Sequence, residues 1–158
     1  MMSRTKKRKP AGANRTQTRT AKAFLLPMHR RDADAMSLQF RVALENVRRQ
    51  RAGRQEATCL AQVVLLTSFL TEEGHGEIDL HYIREVENDV LAMLDHGEAT
   101  GEWEFPQAML DPLTAIVNEH DRQLREVRLA AVAAATERLD RLVGSLPKRL
   151  TANRDTAE

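Results

Sequence analysis

The chain has 158 residues, 42% hydrophobic, 30% charged and 4% aromatic, which suits one modest domain rather than two. Its one cysteine, Cys59, excludes an intrachain disulfide and a zinc site of four cysteines or two cysteines with two histidines, and points to a reducing, cytoplasmic setting. The net charge of +1 conceals a division: residues 1–31 carry ten Lys or Arg and no acid, while the other 14 cations face all 23 carboxylates, a balance of −9 over residues 32–158.

The first stretch, 1–31, contains KKRKP and then alternating Thr and Arg, with little to bury and much to repel, so a disordered basic arm is expected. Arg4, Lys6, Lys7, Arg8, Lys9, Arg15, Arg19 and Lys22 are candidate contacts to nucleic-acid phosphates, DNA or RNA, where binding would release counterions. The competing readings are an arm that maintains solubility or folds back on the acidic body, and an organellar targeting segment, the latter weakened by the lack of an amphipathic apolar stripe.

Four helices are predicted over a domain of residues 32–146. From Asp34 to Arg51, Met36, Phe40, Ala43, Leu44 and Val47 recur at spacings of three and four and share one face. Asp32 or Asp34 would cap this helix and Gly53 would stop it. Its closing Arg48, Arg49 and Arg51 complement the helix dipole and form a second candidate phosphate contact.

The second helix, about 55–71, is apolar around nearly its whole circumference, as a central core helix would be, and Cys59 reads there as a small hydrophobe. The run Ala57 to Leu70 is too short and too interrupted by polar residues to span a membrane. A third helix is expected from Asp79 to His96, ended by Gly97, with Tyr82, Ile83, Val86, Val90, Met93 and Leu94 as its stripe. Residues 72–111 hold twelve acids and one Arg, a surface suited to a basic protein partner.

Trp103 and Phe105 read as anchors of the following linker rather than as a base-stacking platform, because Glu102 and Glu104 flank them. Asp111-Pro112 then opens, as N-cap and first helical residue, a long fourth helix running to Val143, with a helical turn from Gln107 to Leu110 before it as the alternative start. Leu113, Val117, His120, Leu124, Val127, Ala131 and Ala134 follow a 4,3,4,3,4,3 spacing, the seam of a coiled coil. The seam serves a homodimer or packing against Phe40 or Leu44 equally well, and His120 reads as a hydrogen-bonded core histidine. Residues 147–158 are expected to be a disordered tail.

Tests for chemistry fail. No glycines are arranged as a phosphate-binding loop, no Ser-His-Asp elbow occurs, and the pairs His81 with Glu85 and Glu119 with His120 are what any helical chain rich in carboxylates produces. A helix-turn-helix is disfavoured because the third helix is acidic and its link to the second is long. No catalytic residue, metal or cofactor is therefore expected.

Three short motifs, KKRKP, TGEWEF at Thr100 to Phe105 and HDRQL at His120 to Leu124, resemble those of a family of small helical proteins from proteobacteria, some carried on phages or other mobile elements and some labelled Fis-like transcriptional regulators. The resemblance implies an all-α fold and a bacterial intracellular setting. Combined with the charge division, the expectation is an all-α, non-enzymatic accessory or regulatory protein binding nucleic acid through its basic arm. The alternative is a protein-binding adaptor acting through its acidic surface or the seam of the last helix.

Overall fold

The computed structural model describes residues 21–146, so residues 1–20 of the arm and the tail 147–158 lie outside the described residues. Five helices, α1 (Arg30–Arg48), α2 (Arg54–Leu70), α3 (Leu80–Thr100), α4 (Leu110–Glu126) and α5 (Leu129–Ser145), follow a short helical turn over 21–25. A π-turn, Thr71–His75, lies between α2 and α3, and a 3₁₀ turn, Gln107–Met109, leads into α4. The described residues form no strand, only an isolated antiparallel bridge between Pro27 and Arg128.

The apolar circumference of α2 explains the architecture. With Ala57, Leu60, Val63, Val64 and Leu70 all fully buried, α2 must be covered on every side, and α1, α3, α4 and α5 pack around it. The predicted face of α1 supplies Phe40, Ala43, Leu44 and Val47 to the core, and that of α3 supplies Ile83, Val86 and Val90. No helix of the described residues is long and apolar enough to cross a membrane.

Four expectations need correction. The long fourth helix is two helices: Val127 is extended (φ −84°, ψ 138°), Arg128 follows at φ −58°, ψ 142°, and the Leu129 N–H donates to the Leu26 carbonyl at 2.8 Å. That bond to the N-terminal segment captures a donor that a continuous helix would use internally. The first helix starts at Arg30 rather than Asp34, and His29, not Asp32 or Asp34, caps it, its Nδ1 accepting from the Arg31 N–H at 3.2 Å.

Gly53 does not stop α1, which ends at Arg48 before Gln50 turns the chain at φ 56°. Gly53 instead caps α2, donating its N–H to the Glu56 carboxylate at 2.9 Å. That bond lowers the Glu56 pKa, and Asn46 adds a second at 3.1 Å. Gly97 does not end α3, which continues one turn to Thr100 and stops at the left-handed Gly101 (φ 76°).

Candidate functional site

The candidate nucleic-acid residues fall in two separate places. Arg4, Lys6, Lys7, Arg8, Lys9, Arg15 and Arg19 lie outside the described residues, while Lys22 is exposed on the turn over 21–25. From there the chain runs to the Pro27–Arg128 bridge and into α1, whose first two residues are Arg30 and Arg31. Lys22, Arg30, Arg31 and Arg128 are exposed, and none pairs with a carboxylate among the described residues. The arm thus joins the body at a mixed patch, where these cations stand beside Glu77, Glu126 and the exposed Asp32. Periodicity gives no sign of Arg128, which it places within a continuous helix.

Arg48, Arg49 and Arg51 lie at the other end of α1, roughly 27 Å from Arg30 at 1.5 Å per residue. Arg49 and Arg48 bond Glu45 at 2.7 and 3.3 Å, and the Arg49 bond in particular lowers the Glu45 pKa. Arg51 is exposed, with its backbone N–H on the Asn46 carbonyl at 2.8 Å. The arginine turn is partly neutralised and is not part of the tether patch.

The seam residues up to Val127 are core. Leu113, Val117, Leu124 and Val127 are buried against the chain's own helices, and the Phe40 ring meets His120 edge-on at 5.4 Å. Of the two packings the seam allowed, the intramolecular one occurs, so these residues are not exposed for a homodimer. Beyond Arg128 the buried positions are Val132, Ala135 and Leu139, leaving Ala131 partly buried and Ala134 exposed. Two extended residues reset the helical phase.

His120 to Leu124 is a polar plug in this core. Asp121 accepts from Ser37 and from Arg125 at 3.1 Å, and Arg41 approaches it at 3.4 Å. Arg122 donates to Glu119 at 2.7 and 2.9 Å, to Glu126 at 2.7 Å and to the His75 carbonyl of the π-turn at 2.9 Å. Glu119, 5% exposed, also accepts from the Glu77 N–H at 2.8 Å. Burial pushes the Glu119 pKa upward, but Arg122 and that N–H outweigh it and hold the carboxyl below its ordinary range. Gln123 Nε2 reaches the Thr67 carbonyl, Thr71 Oγ1 and the His75 carbonyl at 3.3–3.5 Å.

His120 is buried as expected, but neither ring nitrogen has a hydrogen-bond partner, and Gln123 Oε1 has none either. Burial pushes its pKa down to about 4, against opposing contributions from Gln123, Asp121 and Glu119. The unfolded chain protonates near 6.5 and the folded one near 4, so stability is full above pH 6.5 and falls by about 3 kcal/mol as pH drops to 4. Replacing His120 with Leu is expected to abolish the acid loss between pH 6.5 and 5.5, where ordinary carboxylates stay ionised, and to leave neutral stability equal or higher. Urea melts across that range check it; an unchanged slope would assign the acid sensitivity elsewhere.

Thr100 to Phe105 is a latch. Thr100 Oγ1 donates to the His96 carbonyl at 2.7 Å and accepts from the Glu102 N–H at 3.1 Å, and Gly101 reverses the chain. Trp103 then lies flat enough on Gly97 that a Cβ there would overlap indole carbons Cε3, Cζ3 and Cδ2, and Phe105 packs on the core. Phe105 thus anchors the linker on the core as expected, while Trp103 is held on Gly97 of α3.

Cys59 is buried, and burial raises its thiol pKa, the reverse of nucleophile activation. Among the described residues no three His, Cys, Asp or Glu side chains are grouped to hold a metal ion. No protein-family model matches the chain, and comparison with curated proteins and with solved structures also gives no match.

Proposed function

We propose that the protein is a non-enzymatic accessory or regulatory protein that binds nucleic acid through its basic N-terminal arm, with little base specificity. One observation carries the reading: ten Lys or Arg and no acid occupy residues 1–31, and the segment docks beside Arg128, where the exposed cations have no carboxylate partner among the described residues. Elsewhere arginines such as Arg54, Arg84, Arg122, Arg125 and Arg138 are engaged by the chain's own carboxylates. A run of cations attracts phosphates and releases their counterions.

Truncation of residues 1–23 removes eight of those cations. If the arm engages duplex DNA fully, log affinity falls against log salt with a slope of about −7, from −0.9 per phosphate neutralised. The truncated protein is expected to lose most of its affinity and nearly all of that slope in fluorescence-anisotropy titrations. Unchanged binding by the truncated body would overturn the reading.

The second reading, a protein-binding adaptor, is favoured by α3, where Glu87, Asp89 and Asp95 have no Lys or Arg partner among the described residues. A basic protein face would complement them. Recovery of nucleic acid alone in a pull-down with the isolated body counts against this reading.

A further inference from the structure

α5 is joined to α4 by a hinge of two residues, Val127 and Arg128, and rests chiefly on α2. Its seat is self-contained: Val132, Ala135 and Leu139 are buried there, Arg138 bonds Glu72 at 2.6 Å, and the Arg138 guanidinium lies 3.9 Å over the Phe69 ring. Nothing in the hinge itself forbids a helix. Val127 and Arg128 already have helical φ values, −84° and −58°, and differ from a helix only at ψ, 138° and 142° against about −42°. From Leu113 to Val143 the chain contains neither glycine nor proline. The seam spacing of four and three runs unbroken from Leu113 to Ala134, yet the closed chain buries it only as far as Val127.

We propose that two copies of the chain exchange α5, the hinge straightening so that α4 and α5 become one helix from Leu110 to Ser145, about 54 Å long at 1.5 Å per residue. Each α5 then fills the other copy's seat on α2. The occupant of that face is on the molecule already: α5 covers it in the single copy, and exchange re-forms the same contacts between chains, twice about a two-fold axis. The second copy is therefore the partner whose fit to the seat is given in advance.

The closed and opened forms compete for one donor. The Leu129 N–H donates to the Leu26 carbonyl at 2.8 Å in the closed chain, whereas in a continuous helix it donates to the Arg125 carbonyl four residues back. The segment that supplies Leu26 is shallowly seated, with Phe24, Leu25 and Leu26 43%, 64% and 62% exposed. Straightening gains the helical bonds that the two extended residues forgo, and propagating a helix already formed on both sides needs no new nucleus. Short hinges invite exchange of this kind, because opening loses only contacts that the partner returns. The exchange uses none of the arm's cations and so stands whether or not the protein binds nucleic acid. A dimer that does bind presents two arms and gains avidity without a new contact.

The test is full-length protein refolded from urea over a concentration series and sized by sedimentation velocity. Wild type is expected to give a dimer whose share rises with concentration and decays slowly on dilution, because α5 must leave its seat before it can return. Arg128→Pro locks the hinge. Its φ of −58° suits proline, Val127 before it is extended as proline requires, and the Arg128 N–H donates to no backbone carbonyl among the described residues, while a continuous helix does not tolerate proline there. This variant should keep the circular-dichroism spectrum and lower the dimer share at least tenfold. Exchange, as opposed to ordinary docking, is read from a mixture that needs no proline. Glu72→Arg and Arg138→Glu each set like charges together in the seat of α5, but an exchanged pair of one with the other sets opposite charges together in both seats. Co-refolding the two variants should give the heterodimer at several times its statistical share. Wild type that stays monomeric throughout overturns the proposal, as does a dimer that Arg128→Pro leaves unchanged or a mixture that forms at the statistical share.

Discussion

Replacing Arg122 with Met is expected to destabilise the fold by about 3 kcal/mol at neutral pH, because breaking a buried ion pair leaves a charge that the interior cannot solvate. The stranded group is Glu119, 5% exposed, whose remaining partner is the Glu77 N–H at 2.8 Å. Arg122 also bonds the His75 carbonyl at 2.9 Å, so its loss loosens the π-turn. Exposed pairs such as Arg48 with Glu45 are worth less than about 1 kcal/mol, and Arg48→Met should change stability little.

The pH dependence separates charge from lost packing. Without Arg122, burial dominates at Glu119 and raises its folded pKa above the unfolded value, so the carboxyl destabilises the fold above that pKa and is harmless below it. The gap between variant and wild type is therefore widest near neutrality and narrows as pH falls. Adding Glu119→Gln to Arg122→Met should recover much of the loss at neutral pH. Chemical denaturation of the four proteins of the cycle at two pH values measures both effects. A gap that is constant with pH would show that Arg122 acts by packing alone.

Gly97→Ala is expected to destabilise the protein by about 2 kcal/mol, against the sign that helix propensity alone would give. In an open helical position alanine is better than glycine by about 1 kcal/mol. At Gly97 the new methyl would meet the indole of Trp103, and overpacking typically costs 1–3 kcal/mol. The indole must leave its seat, and with it the latch that holds Phe105 on the core.

Trp103 is the chain's one tryptophan, so its displacement is read directly as a red shift and change in quenching of intrinsic fluorescence. In a Trp103→Ala background the same Gly97→Ala change has nothing to strike and should be neutral or stabilising. That reversal distinguishes a steric seat from a general intolerance of substitution in α3. An unaltered fluorescence spectrum and stability in Gly97→Ala would refute the latch.

The sequence by itself determined the helical class, the central place of α2 and the inward faces of α1 and α3. Those features follow from the spacing of apolar side chains, and a face that repeats every three or four residues has one way to leave water. It also located the charge division and the anchoring of Phe105, because composition and flanking carboxylates are local facts. Gly97 was misread as a stop for a related reason: a glycine that admits an aromatic ring and one that ends a helix are identical in sequence, and only the position of Trp103 tells them apart.

Tertiary structure alone decided the rest. The break at Val127 and Arg128 has no glycine or proline to announce it, and is accompanied by a bond from the Leu129 N–H to the Leu26 carbonyl, a hundred residues earlier. It turns one helix into two and brings Arg128 beside the arm, while the seam from Leu113 to Leu124 packs into the chain's own core. His120 was legible as buried but not as lacking hydrogen-bond partners, since solvation depends on which groups α1 and α2 bring to the ring, and they bring Phe40 rather than an acceptor. Periodicity specifies which side of a helix turns inward; it does not specify what the inward side will meet.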